Sequence, residues 1–111
     1  MAVFLGAICG IHNLPSSLQE RLKAIAKRHD NSYNDVKNIF NAMVDSKIKA
    51  SELEVTAKSG SAYQNKIQRK TIETWNKIKP NFKGNLPGNL YYSALRDIIA
   101  QGLYPEYKRS K

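Results

Sequence analysis

The chain predicts a mainly α, compact domain of four to five helices, with a short strand or extended segment at its N-terminus. Three observations carry that expectation. Apolar residues recur at helical spacing in several windows, helix start signals precede them, and Gly, Pro and Asn cluster between these windows. A composition of 41% hydrophobic and 24% charged residues is that of an ordinary globular chain. A length of 111 residues suits one domain spanning all of it.

Val3 to Ile11 mixes Val, Phe and Ile with two glycines, which fits a short buried strand or an extended segment lying on the core. The run is about half the length of a membrane-spanning helix. No Lys or Arg precedes it and no A-x-A pattern follows, so neither an anchor nor a signal peptide is expected. One cysteine, Cys9, permits no internal disulfide and no thiolate zinc site. These features point to a reducing, cytoplasmic location with no membrane partner.

The first helix is expected from Pro15-Ser16-Ser17, where Ser17 and Glu20 form an S-x-x-E capping box. Leu18, Leu22, Ile25 and Ala26 share its inner face, and His29-Asp30-Asn31 ends it. Ser32 with Asp35 starts a second helix, in which Tyr33, Val36, Ile39, Phe40, Met43 and Val44 make the sharpest apolar stripe. Ser51 with Glu54 marks a third, short helix before the break at Lys58-Ser59-Gly60-Ser61. A longer helix spans Ala62 to Lys79, with Tyr63, Ile67, Trp75 and Ile78 inward, and stops before Pro80.

Asn81 to Asn89 is expected as a loop, with Asn89 capping a last helix whose Tyr91, Leu95, Ile98 and Ile99 face the core. Gly102 followed by Leu103 resembles a Schellman stop. Tyr104 to Lys111 is then expected to be a basic C-terminal tail, its Tyr104 and Tyr107 freer than Phe40, Trp75 and Tyr91. Asn13-Leu14-Pro15 and Asn85-Leu86-Pro87 both precede helices, which is the same start chemistry used twice.

Charge is the strongest functional signal. Eighteen Lys and Arg oppose nine Asp and Glu, a formal net charge of +9. Such an excess favours polyanionic partners. Between Lys58 and Lys83 there are seven cations, Lys58, Lys66, Arg69, Lys70, Lys77, Lys79 and Lys83, against one anion, Glu73. At about 100° per residue, Lys66, Arg69, Lys70 and Lys77 share one side of the long helix. Cations in a row at that spacing suit a phosphate backbone. Lys108, Arg109 and Lys111 extend the basic surface in the tail.

Leu53 to Trp75 also has the order of a helix-turn-helix, with Ser61, Tyr63, Gln64, Asn65 and Gln68 near base edges, although Ala57, Gly60 and Ile67 miss its preferred offsets. No phosphate-binding glycine loop, G-x-S-x-G elbow or metal-ligand spacing occurs, so neither an enzyme nor a cofactor is expected. The leading expectation is a small basic helical protein that binds DNA or RNA mainly through phosphates. The alternative is a non-enzymatic inhibitor or accessory subunit docking on an acidic protein surface of a nucleic-acid-processing machine.

Overall fold

A computed structural model describes residues 14–54, 60–82 and 88–109. Its helices are α1 (Ser16–Arg28), α2 (Tyr33–Asp45), α3 (Ser61–Ile78), α4 (Gly88–Ala100) and α5 (Leu103–Arg109). Two 3-10 turns, Ala50–Leu53 and Lys79–Asn81, complete the elements. The architecture is mainly α, and no strand occurs among the described residues. The strand or extended segment expected at Val3 to Ile11 lies outside them, as do Lys58, Lys83 and Lys111.

Pro15, in extended conformation, occupies the N-cap of α1, so Ser17 falls inside the first turn and makes no capping bond. The capping box expected there is replaced by Gln19, whose Nε2 donates to the Leu14 carbonyl at 2.8 Å. The helix stops as a Schellman motif. Asp30 adopts φ 58°, its N–H donates to Lys27 O at 3.3 Å, and the Asn31 N–H donates to Ala26 O at 2.8 Å. Ser32 then caps α2 as its sequence implies, its hydroxyl accepting from the Asp35 N–H at 3.0 Å.

The third start signal yields less than expected. Ala50–Leu53 is a single 3-10 turn without a side-chain cap, held by Leu53, which is buried. α4 spans Gly88–Ala100, so Asn89 lies within the helix. At its far end Gly102 adopts φ 67°, the left-handed conformation that glycine tolerates best, and donates to Ile99 O at 3.1 Å.

The expected basic tail is instead a helix packed on the core. In α5 Leu103, Tyr104, Pro105 and Tyr107 are buried. Pro105 lies in the first turn, where a missing N–H costs no intrahelical bond. Both tyrosines face Phe40, with ring centroids 6.0 Å away for Tyr104 and 5.4 Å for Tyr107. The Tyr104 hydroxyl donates to the Ile48 carbonyl at 2.5 Å, and burial, with Tyr107 and Glu52 nearby, pushes its pKa up to about 12.

α2 lies at the centre. Val36, Ile39, Phe40, Ala42 and Met43 are buried, and α1, α3 and α4 all pack on this helix. α3 contributes Ile67, Thr71, Thr74 and Ile78 to the same core. The two threonines were not expected inside. The Thr71 hydroxyl satisfies itself on Ile67 O at 2.7 Å, so its methyl packs like that of a valine. Trp75 is only partly buried, its ring 3.8 Å from that of Tyr91 and 5.8 Å from that of Phe82.

Phe40→Ala is expected to cost about 3 to 5 kcal/mol, since the ring is fully buried among aromatic neighbours that collapse poorly around a cavity. Tyr104→Phe is expected to cost about 1 kcal/mol by orphaning the Ile48 carbonyl. Urea denaturation measures both. A Tyr104→Phe midpoint equal to that of the parent would show that the bond to the Ile48 carbonyl contributes nothing to stability.

Candidate nucleic-acid interface

The candidate site is built on the exposed part of α3. Its buried row, Ile67, Thr71, Thr74 and Ile78, fixes the rotation of the helix. Lys66, Lys70 and Lys77 consequently occupy one flank, Arg69 the outer face, and Lys79 the turn beyond the C-terminus. Lys79 Nζ lies 5.8 Å from the Trp75 ring centroid. The structure thus brings Lys66, Lys70 and Lys77 together and sets Arg69 and Lys79 apart from them.

Acidic partners absent from the local sequence arrive through the fold. The turn Ala50–Leu53 lies beside the α3 flank, and Glu52 Oε1 accepts from Lys77 Nζ at 2.5 Å. Lys70 Nζ donates to the Glu52 backbone carbonyl. That contact places Lys70 in a half-buried position, where desolvation first and then the neighbouring Lys66 lower its pKa. Lys70 is therefore a tie between α3 and the turn as well as a surface charge.

The hydrogen bond from Lys77 holds the Glu52 carboxyl below the usual carboxylate range, and the charges of Lys77, Lys49 and Lys70 lower it further against a smaller opposing burial effect. Lys49, which precedes the turn, is exposed and joins this basic cluster. Sequence inspection missed it because it lies outside the Lys58 to Lys83 window. The proximity of Lys49 and Lys70 to Glu52 is a tertiary fact with no local signature.

The remaining expected cations are used differently. Arg109 approaches Glu54 at 3.6 Å, and Lys108 Nζ lies 5.8 Å from the Tyr104 ring centroid. Both ride on α5. The turn carrying Glu52 and Glu54 stands between them and α3, since it packs on α5 and bonds α3. Lys66 and Arg69 have no ion pair among the described residues.

Of the helix-turn-helix expected over Leu53 to Trp75, the second helix is present as α3, while residues 55–59 of its first half lie outside the described residues. Gln64, Asn65 and Gln68 are exposed on α3, and Arg96 donates to Gln64 Oε1. Stacking on free tyrosines is excluded for Tyr104 and Tyr107, both buried.

His29, singled out beside Asp30, pairs with a different carboxylate. Its Nε2 lies 2.6 Å from Asp97 Oδ2, to which Arg28 Nη1 donates at 2.9 Å. The contact fastens the end of α1 to α4. Among the described residues no group of three or more His, Cys, Asp or Glu is placed to hold a metal ion, and no helix is long and apolar enough to cross a membrane. No protein-family model, curated protein or solved structure matches the chain.

The Glu52 pair gives a pH test. A carboxyl held below its unfolded value contributes stability that is present above the ordinary glutamate range and is lost as pH falls through the lowered value. The urea midpoint difference between the parent and Glu52→Gln should therefore be constant near neutrality and vanish in acid. A difference independent of pH would show that the pair contributes nothing electrostatic.

Proposed function

We propose that the protein is a small, non-enzymatic, basic helical protein of the cytoplasm that binds nucleic acid through phosphate contacts on the α3 flank. The observation that carries this reading is the convergence of Lys49, Lys66, Lys70 and Lys77 from separate segments onto one side of the fold. Glu52 is the carboxylate paired within that group. A cluster that outnumbers its acids retains net positive charge after internal pairing, and its flexible ammonium groups can each displace a condensed counterion.

The alternative, docking of an acidic protein surface, draws on the same charges. One observation favours it specifically: Ile72, on the outer face of α3, is 46% exposed. Phosphate binding alone gives an exposed isoleucine no role. A protein interface would bury it beneath the charged rim.

Lys49→Ala with Lys66→Ala separates the readings. Neither side chain has an ion pair among the described residues, so the melting temperature should stay close to that of the parent. Affinity for a random oligonucleotide should fall, and the slope of log K against log salt should shrink by about 1 per lost contact. Unchanged affinity and slope would overturn the assignment of phosphate binding to this flank.

A further inference from the structure

α3 also presents a ridge that phosphate binding does not use. Opposite the buried row Ile67, Thr71, Thr74 and Ile78, the side chains of Asn65, Gln68, Arg69, Ile72 and Asn76 are exposed. They succeed one another at three- and four-residue steps and so form a continuous line along the helix. Asn65, Gln68, Arg69 and Ile72, with Glu73, line one shallow groove on its surface. Ile72 is the exposed large hydrophobic residue among those described.

The chemistry of this ridge differs from that of an ordinary solvated face. Side-chain amides pair bidentately with the adenine edge, a guanidinium with the guanine edge, and an aliphatic group fits the thymine methyl. These groups lie on an 18-residue helix whose outer side chains are exposed among the described residues, and the major groove of B-form DNA admits an α-helix. Lys66 and Lys77 border the ridge on one side, and Lys79 follows the C-terminal end of the helix, its Nζ 5.8 Å from the Trp75 ring centroid. Glu73 lies between the ridge and the lysine flank, close enough to act on the charge of Lys70.

The observations favour duplex DNA over other nucleic acids. Single strands are held largely by stacking on exposed rings. No ring among the described residues is fully exposed: Tyr33, Tyr63, Trp75, Phe82 and Tyr92 are half-buried, and Phe40, Tyr91, Tyr104 and Tyr107 are buried. Double-stranded RNA has a major groove too narrow for side chains to read.

We propose that the outer ridge of α3 enters the major groove of duplex DNA and confers a sequence preference, with Gln68, Arg69 and Ile72 as the specificity-determining side chains. The inference rests on the phosphate-binding reading and adds base readout to it. The preferred site contains adenine and guanine opposite Gln68 and Arg69 and a thymine methyl against Ile72.

The test is selection from a pool of random-sequence duplex DNA, followed by titration of the enriched duplex and a shuffled duplex of equal composition. The full-length protein should bind the enriched duplex about tenfold or more tightly than the shuffled one, the discrimination expected of one good side chain–base pair. Gln68→Ala with Ile72→Ala should bind both duplexes with the affinity of the shuffled one while keeping its melting temperature and salt slope. Equal, salt-dependent affinity of the parent for both duplexes would overturn base readout and leave phosphate binding standing. No binding to either would overturn both. A preference that survives the double substitution would remove it from the ridge, and tighter binding to the matching RNA would overturn the assignment to DNA.

Discussion

Burial of the α2 stripe is the constraint on which the rest of the structure depends. Val36, Ile39, Phe40, Ala42 and Met43 are all 1% exposed or less, so the helices around α2 must supply apolar surface on every side of it. α5 does so with Tyr104 and Tyr107 on Phe40. Tyr104 in turn pins the Ile48 carbonyl, and Leu53 buries the turn that follows. The position of Glu52 beside α3 is thus a consequence of core packing. An apolar contact decides where a surface charge sits.

Four of the nine carboxylates join elements. Glu106 takes Arg21 at 2.6 Å, Asp97 takes Arg28 and His29, Glu52 takes Lys77, and Glu54 faces Arg109. Exposed pairs of this kind contribute little stability individually. Each such pair neutralises one cation at a junction, whereas Lys49 and Lys66 have no ion pair among the described residues. With a net charge of +9, that leaves the α3 flank and the segment before Ala50 as a basic region. Its strength toward phosphates falls with ionic strength.

Much of the fold was legible because burial here follows helical periodicity. Leu18, Leu22, Ile25 and Ala26 on α1, and Tyr91, Leu95, Ile98 and Ile99 on α4, are buried as their spacing implies. The failures have physical causes. Thr71 looks polar until its hydroxyl is bonded to Ile67 O, and Tyr104-Pro105 looks like a tail until Phe40 supplies a surface for the rings. Capping residues depend on backbone conformation, so Ser32 succeeded where Ser17 yielded to Pro15. For the candidate site, the cationic row on α3 was visible as a helical projection. Glu52 was not, because it lies 25 residues from Lys77 in the chain and meets it only through tertiary structure.

The proposed nucleic-acid surface is α3, through its flank and outer ridge. The most direct measurement is the change in backbone and side-chain NMR shifts of the labelled protein as duplex DNA is added at moderate salt. The largest changes are expected at Lys49, Lys66, Gln68, Arg69, Ile72 and Lys77, with small changes at the buried residues of α2. Shifts concentrated instead on Lys23 and Lys27 of α1 or on Lys108 and Arg109 of α5, with α3 unmoved, would contradict it.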